Sequence, residues 1–142
     1  MSFNAQDLVG AWTNDLGSTM NIKGVTGAGG PDGCFFGTYL TGVGKAEVVH
    51  QLSGGTWQFC LVDDKPCLLV LFNVQWTELV GENALPSCTC WSAQGGFNED
   101  GTLCCLDSTY LLRRYTDAKN GWDQPVVNKN VFAKAAGGEE EV

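Results

Sequence analysis

Aromatic side chains share faces with single polar side chains, an arrangement typical of a small-molecule site. Alternation along an extended stretch puts Ser87, Thr89 and Trp91 on one face, because successive side chains of a strand point in opposite directions. Trp12 and Asn14 share a face in the same way. An ordinary core would exclude these hydroxyl and amide groups, since burying an unpaired polar group costs free energy. Aromatic walls with a few placed polar groups indicate a binding cavity.

Catalysis and metal binding have little support in the residue types. His50 is the only histidine, so it would have to be the base of a hydrolase, and no G-x-S-x-G nucleophile motif is present. We expect His50 on the surface of a strand. Cys88-x-Cys90 and Cys104-Cys105 lack the spacing of structural zinc sites. The sequence therefore predicts a protein with no catalytic residue, no metal and no cofactor.

Turn residues divide the chain into short extended runs, and no segment shows a helical period. Strand runs at this spacing are typical of an all-β sandwich or barrel. The eight predicted strands are Leu8–Asn14, Ser18–Val25, Cys34–Thr41, Glu47–Leu52, Thr56–Leu61 continuing toward Cys67–Trp76, Ser87–Phe97, Thr102–Arg114 and Pro125–Phe132.

Length and charge limit the partners. The 142 residues predict one domain over residues 1–134, followed by a short acidic tail at 135–142 that we expect to be disordered. A net charge of −8 with only 8 scattered basic residues argues against nucleic acid and against an anionic membrane surface. No apolar run reaches the roughly 18 residues of a membrane helix. The first residues lack the basic and apolar regions of a signal peptide, so none is predicted in this chain.

The seven cysteines are an odd number, so one thiol is left over if all the others pair within the chain. A reducing compartment would keep most of them as thiols, whereas a secreted protein would carry disulfides. Cys60 and Cys67 flank the turn Val62–Pro66, so oxidation could join them across a hairpin. Both redox states stay open at this point.

Six motifs in order resemble the avidin/streptavidin family of biotin-binding proteins. They are Gly10–Ser18, Gly37–Thr41, Asn73–Trp76, Ser87–Gln94, Thr109–Arg113, and Trp122 followed by Asn130–Phe132. The resemblance implies a streptavidin-like fold, an eight-stranded antiparallel up-and-down β-barrel whose open end holds one small ligand. It also implies non-covalent, high-affinity biotin binding and self-association as a homotetramer, with a dimer as the second choice.

The resemblance assigns polar contacts to biotin residue by residue. The ureido oxygen would receive hydrogen bonds from Asn14, Ser18 and Tyr39, and the ureido N–H groups would donate to Thr41 and Asn130. Thr89 would contact the thioether sulfur. The tail carboxylate would meet Ser87 and the loop residues Val43, Gly44 and Lys45, where a charge contribution from Lys45 is our own addition. Taken singly, Asn14, Ser18 and Thr41 are also ordinary turn residues.

The resemblance also implies an apolar wall, and here the chain departs from the family pattern. The wall residues are Trp76, Trp91, Tyr110, Leu112 and, from a neighbouring subunit, Trp122. The family has a tryptophan where this chain has Tyr110, and we expect the smaller ring to cost about 1–2 kcal/mol, or about tenfold in affinity. Asn128–Lys129 and the stretch Gly81–Pro86 also depart from the pattern and could reshape the rim.

Two further points follow from the resemblance. The biological role would be the sequestration of biotin, for storage or defence. The alternative function is a lipocalin-like barrel that binds another small apolar ligand, which the change at Tyr110 would favour.

Overall fold

One antiparallel sheet closes on itself to form an eight-stranded β-barrel, as the sequence predicts. The computed structural model describes residues 3–42, 49–76, 86–115 and 126–135. A 3₁₀ helix, Ala5–Leu8, precedes β1 Gly10–Asn14, β2 Thr19–Val25, β3 Asp32–Leu40, β4 His50–Gln51, β5 Gly54–Val62, β6 Lys65–Trp76, β7 Ser87–Phe97, β8 Leu103–Arg114 and β9 Val126–Lys134. Within the described ranges, no helix is long and apolar enough to cross a membrane.

The nine strand segments fill eight barrel positions. β4 and β5 together occupy one position, because both pair with β3. The break between them interrupts the strand but keeps its hydrogen bonds, since Leu52 N donates to Gly37 O on β3 and Ser53 N donates to Asn73 O on β6. Every other strand pairs with its successor along the chain, and β1 pairs with β9 to close the ring.

The largest difference from the predicted strands is a hairpin. The run Thr56–Leu61 continuing toward Cys67–Trp76 was predicted as one strand, and this was wrong, because the chain reverses between β5 and β6. Asp63 and Asp64 have φ angles of 51° and 64°, as a two-residue turn between antiparallel strands requires. Aspartate tolerates this left-handed conformation better than most residues, so the turn recognised at Val62–Pro66 can reverse the chain.

Differences at the other strand ends are small. Leu8 belongs to the 3₁₀ helix, whose start is fixed by Asn4, the side chain of which accepts from Gln6 N. β1 therefore begins at Gly10 rather than at Leu8. The first two residues of the predicted strand Glu47–Leu52 lie outside the described residues, as does the tail from residue 136.

The barrel is closed at one end by aromatic side chains. Phe3 stacks on Phe59 at 5.0 Å and meets Trp57 and Phe97 edge-on. The 3₁₀ helix lies at this end as well, where Leu8 O accepts a hydrogen bond from the indole of Trp12 on β1. The opposite end, where β1, β3, β6 and β8 finish, is called the mouth below.

The inner face of β6 shows the alternation expected of a strand. Its inward residues form the centre of the apolar core, together with residues of every other long strand. The inward residues of β6 are Leu68, Val70, Phe72, Val74 and Trp76, of which only Trp76, at the mouth, is partly exposed.

Candidate binding site

Five buried polar side chains, each predicted from the sequence as a site residue, converge just inside the mouth. Asn14 ends β1, Ser18 precedes β2, and Tyr39 lies near the end of β3. Asn130 comes from β9, the neighbour of β1 in the barrel, and Thr89 comes from β7. All five are less than 10% exposed. Burial of this kind requires hydrogen-bond partners, and the partners fix how each group is oriented.

The Asn14 side chain serves both the turn and the mouth. Its Oδ1 accepts from Leu16 N at 3.0 Å and from Ser18 N at 2.9 Å, which holds the turn between β1 and β2. Its Nδ2 therefore points the other way and donates to the Tyr39 hydroxyl at 3.4 Å. The turn interpretation of Asn14 is correct, and it leaves the amide N–H directed into the cavity.

The Tyr39 hydroxyl lies at the centre of this donor group. Burial raises the pKa of Tyr39 to about 12, and the negative charges of Tyr110 and Asp15 add to the rise. Hydrogen bonds with Ser18 and Asn14 act in the opposite direction. The hydroxyl therefore stays protonated at neutral pH and can donate. Ser18 Oγ in turn accepts from Gly42 N at 3.0 Å, which ties the end of β3 to the first turn.

Asn130 is oriented by two side chains on either side of it. Its Nδ2 donates to Asp15 Oδ1 at 3.4 Å, and its Oδ1 accepts from the indole of Trp91 at 3.4 Å. Its backbone carbonyl accepts from Ser108 Oγ at 2.7 Å. The side-chain oxygen of Asn130 is thereby presented as an acceptor. Sequence reasoning missed Asp15, although it directly follows Asn14 in the first motif.

Aromatic rings form the rest of the wall. Trp91 stacks on Phe72 at 4.8 Å and lies tilted against Tyr39 at 4.9 Å. Trp76 donates its indole N–H to Thr89 Oγ1 at 2.9 Å, which orients that hydroxyl. The Tyr110 ring is 6.4 Å from that of Trp91.

Nearer the rim, the predicted site residues are only partly buried. These are Thr41, Trp76, Ser87, Tyr110 and Leu112. Four further predicted site residues, Val43, Gly44, Lys45 and Trp122, lie outside the described residues.

His50 lies inside the mouth, so its predicted surface position was wrong. It is only 5% exposed, and its ring meets the edge of Trp76 at 5.0 Å. The reason is register: His50 is the direct partner of Tyr39 between β3 and β4, and paired residues share one face of the sheet. The turn positions around the predicted strand Glu47–Leu52 were ambiguous, so the sequence did not give this pairing.

The opposite face of β7 carries the cysteines, as alternation predicts. Cys88 and Cys90 are exposed on the outside of the barrel. Among the described residues, no group of three or more His, Cys, Asp or Glu side chains is arranged to hold a metal ion. The mouth is thus a cup that combines buried donors, a buried acceptor and aromatic rings.

Replacing Tyr39 with Phe tests the burial of its hydroxyl. A folded-state pKa of about 12 above the ordinary 10.0 means that the unfolded chain loses this proton first. The contribution of the protonated Tyr39 hydroxyl to the free energy of unfolding is complete below pH 10. It falls by about 3 kcal/mol as the pH rises through 12. Urea titrations at several pH values should show that Tyr39→Phe loses less unfolding free energy at alkaline pH than the wild type does. An equal loss in both proteins would contradict the assignment.

Comparison with known proteins agrees with this geometry. A model of the Avidin family matches residues 2–135. The biotin binding protein from chicken is 28% identical with a TM-score of 0.70, and the match covers 91% of this chain and 98% of that one. Xenavidin is 26% identical with a TM-score of 0.59, and the match covers 90% of this chain and 96% of xenavidin. AVR2 is 25% identical with a TM-score of 0.64, and the match covers 90% of this chain and 94% of AVR2. The matches support the avidin interpretation and not the lipocalin-like alternative, and this chain belongs to the avidin family.

Proposed function

We propose that this chain binds biotin non-covalently and with high affinity in the mouth of the barrel, and that it catalyses no reaction. One observation carries the proposal: the buried donors Asn14 and Tyr39 and the buried acceptor Asn130 lie together at one mouth with an aromatic wall. A cyclic urea has a carbonyl oxygen that needs donors and N–H groups that need an acceptor, so it matches this set of groups. The chicken relative is itself described as a biotin binding protein.

The ureido oxygen of biotin receives hydrogen bonds from Asn14, Ser18 and Tyr39. Several donors on one oxygen polarise the urea toward a charged form and shorten each hydrogen bond. The turn contacts of Asn14 Oδ1 support this role, because they leave its Nδ2 free to face the ligand. The donors are ordered before the ligand arrives, which reduces the entropy cost of binding.

The ureido N–H groups donate to Asn130 Oδ1 and to the Thr41 hydroxyl. Asp15 supports the role of Asn130, because a carboxylate beside the amide nitrogen keeps the amide oxygen turned toward the cavity. Thr89 contacts the thioether sulfur, with its hydroxyl already held by Trp76. The tail carboxylate meets Ser87 and the loop residues Val43, Gly44 and Lys45.

The apolar body of biotin packs against aromatic and aliphatic side chains at the rim. In this chain the wall consists of Trp76, Trp91, Tyr110 and Leu112. Trp122 of a neighbouring subunit completes it. Tyr110 supplies less contact area than the tryptophan of the family, so the ring and tail are held less tightly than the urea. The biological role that follows is biotin sequestration.

The outer surface supports self-association as a homotetramer. Leu71, Leu111 and Val127 lie around one outer groove that crosses β6 to β9, with Cys90 between them. Leu71 and Val127 are more than half exposed in the single chain. Contiguous exposed apolar surface of this kind is typical of an interface. This groove is therefore the surface that a second copy covers in the proposed assembly.

Exchanging one donor tests the proposed ureido contacts. Asn14→Asp keeps the oxygen that holds the turn but replaces the N–H by a second acceptor, facing the ureido oxygen. The wild type should be retained on biotin–agarose and released by free biotin. The variant should dissociate at least about tenfold faster, because a donor is lost and a negative charge faces an acceptor.

The control is Asn98→Asp, the same change at an exposed position in the closed-end turn between β7 and β8. It should keep the wild-type rate. Passage of the wild type through biotin–agarose would overturn the proposed function. Wild-type kinetics in Asn14→Asp would overturn only the role of Asn14.

Restoring the larger ring tests the proposed wall. Tyr110→Trp should slow biotin dissociation by about tenfold, because it adds apolar contact at a half-buried position beside Trp91. Phe36→Trp, on the outer face of β3, is the matched control and should leave the rate unchanged. A Tyr110→Trp rate equal to or faster than that of the wild type would show that this ring does not contact the ligand.

Light scattering tests the proposed assembly. The wild type should have the mass of four chains. Leu71→Glu puts a charge into the outer groove, so it should yield smaller species that release biotin faster for lack of Trp122. Leu61→Glu, at the exposed tip of the β5–β6 hairpin, is the control and should leave the mass unchanged. A monomeric wild type that still holds biotin tightly would contradict the role of Trp122.

A further inference from the structure

Cys60 and Cys67 are directly opposite each other on the β5–β6 hairpin. All seven cysteines lie within the described residues. The other close pairs have unsuitable positions: Cys88 and Cys90 are two residues apart on one strand, and Cys104 and Cys105 are consecutive residues, so a disulfide between them would distort the peptide bond that joins them. We propose that Cys60 and Cys67 form a reversible thiol–disulfide site, which reacts with low-molecular-weight disulfides of the glutathione type.

The backbone pairing defines the geometry of this site. Phe59 N donates to Pro31 O, toward β3, so the backbone groups of the next residue, Cys60, point toward β6. Cys60 and Cys67 are therefore a hydrogen-bonded pair, for which Cα atoms are about 5.5 Å apart. That distance lies within the range of disulfides. The β-carbons of such a pair are at the far end of the range that a disulfide spans, so the bond forms without separating the strands but under tension.

Tension makes a disulfide easier to reduce and offsets part of the advantage of holding the two thiols together, so this one is expected to open and close rather than to serve as a permanent brace. The side-chain environments agree with a two-step exchange. Cys60 is exposed, so its thiolate can attack an external disulfide, whereas Cys67 is half-buried. Burial raises the pKa of the Cys67 thiol, and the charge and hydrogen bond of the adjacent Cys60 sulfur raise it further. Contact between the two thiols is what the second step requires.

The exchange balances without any other reactant. The Cys60 thiolate attacks one sulfur of the disulfide RSSR, which forms a mixed disulfide and releases RS⁻. The Cys67 thiolate then attacks the Cys60 sulfur, which forms the Cys60–Cys67 bond and releases the second RS⁻. The two thiol protons end on the released thiols, so RSSR is reduced to two RSH while the cysteine pair is oxidised.

The site is remote from the mouth. Trp76 is nine positions after Cys67 on β6, which corresponds to about 30 Å along an extended strand. Oxidation is therefore expected to leave biotin binding unchanged. The proposal about the thiols is independent of the proposed function, and either can fail alone.

The full chain can be equilibrated with defined ratios of oxidised to reduced glutathione, quenched with acid, alkylated and mapped without reduction. The wild type should yield an internal Cys60–Cys67 disulfide. Cys67→Ser should stop at glutathione bound to Cys60, because the second thiol is missing. Cys88→Ser, which removes another exposed cysteine, should behave like the wild type.

Measuring the same equilibrium in urea separates two causes of disulfide formation, the folded strands and the short distance along the chain between Cys60 and Cys67. The folded chain should form the bond at a glutathione ratio about tenfold less oxidising than the unfolded chain, because the strands hold the thiols together. Equal values in the folded and unfolded chains would overturn the proposal. So would a wild type in which Cys60 keeps its glutathione or pairs with another cysteine.

Discussion

The pairing of β1 with β9 is the constraint on which the mouth depends. These strands are the first and last of the sheet, and their register sets Asn14 beside Phe132. Asn130, two residues before Phe132 on the same inward face, therefore reaches Asp15 in the turn that follows β1. A slip of one residue would turn every β9 side chain to the other face of the sheet. The apolar pattern of the strands and the contact between distant polar residues thus enforce the same closure.

Polar groups inside the mouth are ordered by the wall and not by the ligand. Asn14 is held by turn amides, Thr89 by the Trp76 indole, and Asn130 by Asp15 and Trp91. Both the oxygen and the nitrogen of the Asn14 and Asn130 amides have protein partners, so each amide has a defined direction at the mouth. Fixed dipoles of this kind lose little entropy when a ligand replaces water, which is why a small polar head can be bound firmly.

Much of this arrangement follows from the sequence because alternation is a local property. The inward residues of β6 and the outward Cys88 and Cys90 of β7 could be assigned from neighbouring residues alone. The turn at Val62–Pro66 was recognised in the sequence, but the runs on its two sides were joined into one strand, whereas the positive φ angles of Asp63 and Asp64 reverse the chain there. The position of His50 and the contact of Asp15 with Asn130 depend on which residues meet across strands. Pairing between distant strands leaves no periodic signal in the sequence.

The closed end determines how the barrel can be attached to anything else. Phe3 packs there against the aromatic plug, and Lys134 at the end of β9 lies over the Trp12 ring and donates to Asp7 O. The first and last described segments therefore both lie at the end of the barrel opposite the mouth. A protein or surface linked through either segment would sit behind the cup, and the opening would remain accessible to diffusing molecules. The same geometry suits joining the two segments to each other and opening the chain at another turn.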